Sequence, residues 1–304
     1  MKSEYGGWRA IIGCAVLALV ALASVWHFWL RTPPADARPA LWHMEKDGRE
    51  AWLFGTIHAV PNDARWLTPT IEKAIDHSDW LWLEVTGLDD ERASLAIFER
   101  LGRSAGLPPL PSRLGPMDRK RLAGLVAKDA QLASGLDDYE SWAAALLINA
   151  RASAGEGFSS RKAGEAVLTA AFGRAGKPAA GLETIEGQLR FFDDLSEAEQ
   201  RALLAQAIRD ADTFKPVMGE LYQHWSKGHM DAIERLFIDG LGQQPALRST
   251  LVDQRNARWA SQVDAILARH SAVPFIAVGA GHLAGKDNLR SLLERRGWRL
   301  TRIQ

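Results

Sequence analysis

The longest apolar run of the chain lies near its start. Residues 10–30 (AIIGCAVLALVALASVWHFWL) contain no Lys, Arg, Asp or Glu. At about 1.5 Å per residue, a helix of this length crosses the roughly 30 Å hydrocarbon core of a bilayer. Trp8 and Trp29 stand near its two ends, where the membrane interfaces favour indole rings. The pattern therefore predicts a transmembrane helix at residues 10–30, preceded by a tail at residues 1–9.

A cleaved signal peptide is the alternative interpretation of this segment. The small residues Ala35 and Ala37 flank Asp36, as at a cleavage site. The apolar run, however, is longer than the roughly 7–15 residues usual in a signal peptide. We therefore favour an uncleaved signal anchor, followed by a linker at residues 31–40. The Lys and Arg residues on the two sides of the run show a small bias that favours a body outside the cytoplasm, on the periplasmic side.

Strand and helix patterns alternate at the two ends of the body, residues 41–304. Residues 41–57 predict two short strands around a Lys-Asp-Gly turn. Residues 68–77 predict a helix that begins with a capping threonine and a proline. The continuous apolar run at residues 80–85 is typical of a strand covered on both faces. The far end repeats this order, with a strand at residues 274–278, a helix at residues 286–296 and a strand at residues 298–303.

The middle of the body has mostly helical periodicity, because apolar residues recur there at three- and four-residue spacing. Residues 177–183 form a short strand pattern within it, and residues 102–116 and 152–160 are breaks rich in Gly, Ser and Pro. The predicted helices cover residues 116–133, 139–150, 164–176, 196–209, 213–227, 230–239 and 247–269. The whole order predicts a single α/β domain with a mixed central β-sheet flanked by many helices.

Two units at opposite ends of the body share one pattern, a strand, a Gly-x-x-His motif, a helix and a strand. The motifs begin at Gly55 and Gly279 and end at His58 and His282. Ligands in such sheets bind beyond the carboxyl ends of strands, where glycine lets the backbone turn tightly. We therefore expect both histidines at one edge of the sheet.

Two carboxylates can join these histidines, because Glu84 and Glu183 each end a predicted strand. A buried carboxylate is costly unless it is paired or bound to a cation. Two imidazoles and a carboxylate form a common ligand set for a divalent metal that activates water. Simpler interpretations stay open: the histidines cap loops, Glu84 pairs with an arginine, and Glu183 caps residues 184–190. The remaining histidines and the scattered tryptophans are interpreted as structural.

Composition narrows the classes of function. The 37 Lys and Arg residues balance the 37 Asp and Glu residues, so the formal net charge is zero and general nucleic-acid binding is not expected. The single cysteine, Cys14, excludes an intrachain disulfide and a thiolate-rich metal site. Any metal must therefore be bound by histidine and carboxylate side chains.

Five short motifs follow one another along the body. They are LFGTIH at residues 53–58, LE at 83–84, GLETIEGQL at 181–189, RNARW at 255–259 and VGAGHLAG at 278–285. In this order they resemble the TraB/GumN (PrgY-type) family, and the resemblance extends from residue 41 to the end of the chain. That family is similar to the Tiki membrane-anchored metalloproteases. The resemblance thus implies metal-dependent hydrolysis of a peptide or a related amide.

The resemblance also implies roles for particular residues. His58, Glu84 and His282 would bind a divalent metal ion such as manganese, cobalt or zinc, and Glu84 would be a ligand or the general base. Arg255 is the best candidate for stabilising an oxyanion, so Glu84 and Arg255 are the expected catalytic residues. Supporting roles are implied for Gly55, Gly279, Glu183, Gln188 and Asn256.

Two other functions stay open at this point. The same edge of the sheet could belong to a non-catalytic protein of the cell envelope that binds a peptide or a metal-containing cofactor without turnover. Alternatively, the histidines are packing elements of a structural accessory protein that binds no metal. The Gly164-Glu165 sequence departs from the Gly-x-Asp helix start of the family pattern and receives no role. The sequence sets neither the substrate nor the oligomeric state.

Overall fold

The structure is a computed structural model that describes residues 37–87, 90–129, 132, 135–153, 157–211, 213–241 and 248–304. The predicted transmembrane helix at residues 10–30 lies outside the described residues, as does the predicted cleavage site apart from Ala37. Within the described part of the chain, no helix combines the length and the apolar character needed to cross a bilayer.

Eight strands occur in the described residues. They are β1 (Leu41–Lys46), β2 (Arg49–Thr56), β3 (Val60–Pro61), β4 (Trp80–Val85), β5 (Phe158–Ser159), β6 (Ala179–Glu183), β7 (Pro274–Gly279) and β8 (Arg299–Arg302). Six of them form one sheet in the order β6-β4-β7-β2-β1-β8, and β3 pairs with β5. Strand β1 is antiparallel to both of its neighbours, whereas β6, β4, β7 and β2 run parallel to one another. The predicted mixed central sheet is therefore confirmed.

Helices flank this sheet, and eleven α-helices lie in the described residues. They are α1 (Pro69–His77), α2 (Glu91–Gly102), α3 (Pro116–Lys128), α4 (Ser141–Ser153), α5 (Gly164–Arg174), α6 (Ile185–Asp193), α7 (Glu197–Asp210), α8 (Phe214–Trp225), α9 (Met230–Leu241), α10 (Gln254–Arg269) and α11 (Leu289–Arg295). A π-helical turn, Ser249–Asp253, leads directly into α10. Short 3-10 helices occupy Leu110–Arg113, Leu136–Asp138 and Ala280–Leu283.

Local signals fixed several of these boundaries correctly. Thr68 caps α1 by accepting a hydrogen bond from the Ile71 N–H, and proline opens the helix as predicted. The helix predicted at residues 286–296 begins later, at Leu289, because the Asn288 side chain caps it. Helices α2 and α6 were not predicted. Both carry apolar residues at helical spacing, including Leu95 and Phe98 in α2 and Leu189 and Phe192 in α6, so the sequence contained a signal for them.

The described residues contain two hydrophobic cores. The sheet core includes Phe54, Leu81 and Phe275 from the central strands. The helical core is formed by α2, α3, α4 and α7 around the fully buried Trp142. The Trp142 ring stacks on Phe192 of α6 with the ring centroids 6.2 Å apart, so α6 connects the helical core to the end of β6. Packing is therefore the role of this tryptophan, as predicted.

Candidate active site

The carboxyl ends of four neighbouring parallel strands form one edge of the sheet, which we call the rim. In the order β6-β4-β7-β2, these strands end at or next to Glu183, Glu84, Gly279 and Thr56. His58 follows β2, and His282 lies in the 3-10 helix that follows β7. The structure therefore brings both Gly-x-x-His motifs and both carboxylates to the rim.

Arg255, in the first turn of α10, connects the two carboxylates. Its Nη2 donates to Glu84 Oε2 at 2.8 Å and to Glu183 Oε2 at 2.9 Å, and its Nε donates to both Glu183 oxygens at 3.1 Å. All three side chains are 8–11% exposed, and charges so far from water are stable only when they are paired. Glu84 therefore pairs with an arginine in this structure, as the simpler interpretation of this residue proposed.

Glu183 does not cap the segment that follows it. Thr184 has that role, because its Oγ1 accepts a hydrogen bond from the Gly187 N–H at 3.0 Å. Glu183 instead accepts from Arg255 and, at 3.0 Å, from the indole N–H of Trp259. The capping interpretation was wrong, because a threonine next in sequence offers the shorter side chain that an N-cap position favours.

Glu84 is held ionised at the rim. Burial alone would raise the pKa of its carboxyl, but the interaction with His282, the positive charges of Arg255 and His58, and the hydrogen bond from the Gly279 N–H together outweigh burial and lower the pKa. The Gly279 nitrogen lies 2.6 Å from Glu84 Oε1. A Cβ at position 279 would stand 3.1 Å from the same oxygen. Gly279 has a negative φ that other residues also adopt, so its backbone conformation does not require glycine. The absence of a side chain instead permits this close approach of Glu84.

His282 is buried and neutral. Its Nδ1 lies 2.8 Å from Asn256 Oδ1, and because an amide oxygen only accepts, Nδ1 carries the proton and Nε2 has a free lone pair. That Nε2 lies 3.3 Å from Arg255 Nη1 and 3.8 Å from Glu84 Oε1. Burial first, and the charge of Arg255 second, lower the pKa of His282 to about 4, although Glu84 opposes the shift. The ring also packs against Trp259, with the ring centroids 4.5 Å apart.

His58 is exposed and protonated. Its side chain is 82% exposed, and its Nδ1 lies 3.3 Å from Glu165 Oε1. The hydrogen bond to Glu165, with the charge of that carboxylate, raises the pKa of His58 to about 9. Thr56 Oγ1 donates to the same Glu165 oxygen at 2.6 Å. His58 is therefore an imidazolium at neutral pH, paired with a carboxylate on α5.

Glu165 is the rim residue that the sequence reasoning missed. Helix α5 reaches β2 because Gly164, its first residue, has no side chain: a Cβ there would stand 2.5 Å from Thr56 Cγ2. The signal that could have identified Glu165 was the Gly164-Glu165 helix start itself. It places a carboxylate one position earlier than the family pattern, and no role was assigned to it for that reason.

Two of the expected supporting residues have simpler positions. Gly55 accepts a hydrogen bond at its carbonyl from the Trp225 indole at 2.7 Å, and a Cβ there would stand 3.3 Å from the Cα of Ala280. Gly55 therefore permits close packing of β2 against the 3-10 helix that carries His282. Gln188 lies in α6, and within the described residues its side chain makes no hydrogen bond to the rim residues named above.

The predicted divalent metal does not fit the rim in this arrangement. Among the described residues, no group of three or more His, Cys, Asp or Glu side chains is placed to hold a metal ion. Glu84 and His282 converge, but the Arg255 guanidinium contacts both of them. His58 is turned toward Glu165. Arg255 thus supplies the positive charge at the position where the prediction placed a metal.

A Gly-x-Ser-x-Gly sequence occurs at residues 102–106 but does not form a nucleophile elbow. An elbow places the serine on a turn between a strand and a helix, whereas Ser104 follows the C-terminus of α2. Its hydroxyl donates to Glu140 Oε1 at 2.6 Å, on the exposed surface. The rim is therefore the stronger candidate for an active site.

Comparison with known proteins gives one match. The family model described as "TraB/PrgY/gumN family" matches residues 40–302, most of the chain. The match agrees with the resemblance found in the motifs. No curated protein and no solved structure matches the chain.

Proposed function

Because this chain belongs to the TraB/PrgY/gumN family, and two imidazoles of opposite protonation state share its rim, we propose that it hydrolyses peptide or related amide bonds. The observation that carries the proposal is the geometry of the two rings: His282 is buried with its Nδ1 bonded to Asn256, and His58 is exposed beside Glu165. The pKa of His282 is lowered to about 4, and the pKa of His58 is raised to about 9. Two titratable groups with pKa values on either side of neutrality suit a general base and a general acid.

His282 is the general base in this proposal. Asn256 holds the Nδ1 proton and so fixes the tautomer, which leaves the lone pair on Nε2. Arg255 Nη1 donates to that lone pair in this structure, so an attacking water can give its proton to Nε2 once Nη1 donates to the substrate instead. Glu84, near this nitrogen, stabilises the imidazolium that forms. Asn256 and Glu84 act on His282 in the way that the third member of a catalytic triad orients and stabilises its histidine.

Arg255 stabilises the oxyanion in this proposal. Its Nε and Nη2 are fixed by Glu183 and Glu84, while Nη1 donates to the Leu251 carbonyl and to His282 Nε2. The Nη1 group is thus the one that can donate to a substrate carbonyl oxygen, in place of Leu251 and His282, without breaking the carboxylate pairs. Preorganised donors of this kind stabilise negative charge that develops in the transition state.

His58 is the general acid in this proposal. Its ring is exposed at the rim, where a substrate can reach it, and Glu165 keeps it protonated at neutral pH. It can therefore give its proton to the leaving amine, which a neutral imidazole cannot do. The predicted divalent metal stays a prediction, and no step above uses it.

Cleavage of a peptide library tests the proposal. The full chain would be purified in detergent, and cleavage would be followed by mass spectrometry for the wild type, His58→Ala and His282→Ala. His224→Ala is the matched control, because that histidine lies on α8, outside the rim. We expect cleavage by the wild type and the control, and its loss in both rim variants. Saturable binding without cleavage would instead favour the envelope binding protein, and neither binding nor cleavage would favour the structural accessory protein.

Metal content of the same samples tests the separate prediction of a metal centre. Elemental mass spectrometry would be run before and after incubation with manganese, cobalt and zinc. Near-stoichiometric metal that disappears in both histidine variants would overturn the acid and base assignment above, because His58 and His282 would then be ligands. Cleavage that persists in metal-free protein would support it.

We also propose that residues 10–30 anchor the protein in a membrane, with the body outside the cytoplasm. The support is the length and apolar character of that run. Membrane fractionation, followed by protease treatment of intact and permeabilised cells, tests it. We expect the body in the membrane fraction, accessible to protease once the outer barrier alone is opened. Recovery of the whole chain in the soluble fraction would contradict an uncleaved anchor.

A further inference from the structure

A surface cavity of about 500 Å³ lies between the edge strand β6, its neighbour β4 and helix α10. Pockets that bind small molecules range from about 300 to 1,000 Å³. The cavity is distinct from the rim, because its lining comes from the body of the strands and the C-terminal half of α10. The side chains that line it include Trp80, Trp82, Leu182, Ile266, Arg269 and His270.

The walls of the cavity are aromatic and mostly apolar. Trp80 and Trp82 alternate along β4 and so project to the same face of the sheet. Their rings meet edge to face with the centroids 5.1 Å apart, and the Trp80 ring meets His270 with the centroids 4.9 Å apart. Both indoles are only half-buried although β4 lies inside the sheet. Such a surface favours a planar aromatic ligand.

The polar lining of the cavity includes the positively charged Arg269 together with Gln262 and His270. Arg269 is exposed at the end of α10 and makes no ion pair within the described residues, and no Asp or Glu lines the cavity. The indole N–H groups of Trp80 and Trp82 are buried and have no hydrogen-bond partner among the described residues. Because these two indole nitrogens are not accessible to a ligand, the unpaired Arg269 guanidinium is the group that favours an anionic ligand.

We propose that this cavity binds a small aromatic carboxylate. The ring of the ligand lies against Trp80 and Trp82, and its carboxylate pairs with Arg269. The site is independent of the hydrolase proposed above, since none of the rim side chains lines it. Arginine is suited to this role because its planar guanidinium binds a carboxylate through two parallel hydrogen bonds.

Isothermal titration calorimetry with 1-naphthoate tests the proposal on the full chain in detergent, after subtraction of a protein-free titration. 1-Naphthylmethylammonium is the matched probe, with the same ring and the opposite charge. We expect saturable binding of the carboxylate and none of the ammonium compound. Arg269→Gln should weaken naphthoate binding about tenfold or more, as expected for loss of the charge-assisted hydrogen bonds between the guanidinium and the carboxylate.

Two further variants separate the site from a general surface effect. Ala265→Leu places a larger side chain in the cavity lining at an exposed position of α10, and should abolish binding without disturbing the fold. Arg295→Gln removes a different exposed arginine, which lies on α11 and pairs with Asp287, and should bind naphthoate as the wild type does. Equal affinity for the two probes, or equal affinity in Arg269→Gln and Arg295→Gln, would overturn the proposal. So would the absence of naphthoate binding to the wild type.

Discussion

His58 and His282 end identical Gly-x-x-His motifs on neighbouring parallel strands, and yet their surroundings are opposite. His58 is exposed and pairs with a carboxylate, so its pKa rises to about 9. His282 is buried and faces a guanidinium, so its pKa falls to about 4. The motif brings a ring to the rim, but a neighbouring helix supplies the residue that shifts its pKa: Glu165 of α5 raises the pKa of His58, and Arg255 of α10, together with burial, lowers the pKa of His282.

The strand register explains why one ring is exposed and the other is buried. Gly55 pairs with Val278, and Thr56 pairs with Gly279, so the two motifs are one residue out of step across the β2 and β7 pair. After β2 the chain passes through a short loop with a bend at His58 to reach β3, whereas after β7 it turns at once into a 3-10 helix. A similar sequence therefore presents its histidine to solvent in one unit and to the core in the other.

Removal of Arg255 should change the surroundings of His282 more than any other substitution. Arg255→Met leaves Glu84 and Glu183 buried without their main partner, and breaking a buried pair in this way costs about 3–5 kcal/mol of the free energy of unfolding. The pKa of His282 should also rise, because the charge of Arg255 lowers it. Urea unfolding measures the stability, and NMR titration of the imidazole measures the pKa.

Arg258→Met is the control for that variant. Arg258 also approaches Glu183, at 3.6 Å, but its side chain is 45% exposed. Exposed pairs contribute at most about 1 kcal/mol. The geometry indicates that Arg255 stabilises the buried Glu183 more than Arg258 does. Equal loss of stability in the two variants would contradict this.

The lowered pKa of His282 predicts that the protein loses stability in acid. A folded pKa near 4 against an ordinary value of 6.5 means that, between these pH values, the unfolded chain binds a proton that the folded protein does not. The contribution of His282 to the free energy of unfolding is therefore complete above pH 6.5. It is lost as the pH drops toward 4, and the loss is on the order of 3 kcal/mol. Thermal unfolding from pH 7 to pH 4 should show a shallower fall in His282→Gln than in the wild type. Parallel curves would contradict a neutral His282.

Gly164→Ala tests the close packing of α5 against the end of β2, which places Glu165 beside His58. The added Cβ would stand 2.5 Å from Thr56 Cγ2, and overpacking of this kind costs about 1–3 kcal/mol. Gly173→Ala, in the same helix, has no atom within 4 Å of its added Cβ. It should stabilise the helix by about 0.5–1 kcal/mol. Chemical unfolding of both variants checks the difference in sign, and destabilisation of similar size in both would argue against a specific contact at Gly164.

The sequence predicted what depends on nearby residues. The strand ends, the cap of α1 and the arrival of His58, His282, Glu84 and Glu183 at one edge all follow from local periodicity and glycine positions. The partners of these residues do not follow, because they come from distant parts of the chain. Arg255 is 171 residues from Glu84, and Glu165 is 109 residues from Thr56. A motif indicates where a side chain stands, and only tertiary packing decides its charge.

The smallest and most specific effect is expected from Glu165→Gln. The amide keeps the size of the side chain but removes the negative charge, so the pKa of His58 should fall from about 9 toward its ordinary value of 6.5. Because the ring is 82% exposed, the change in overall stability should be slight, and the pKa is the quantity to measure. NMR titration of the two imidazoles in chelator-treated protein would follow His58 and His282 together. A fall in the pKa of His58 alone, with the pKa of His282 unchanged, would show that the pKa of each ring is set by the residues around that ring. If His58 already titrates near pH 6.5 in the wild type, its pairing with Glu165 does not set its charge, and the two rings differ only in burial.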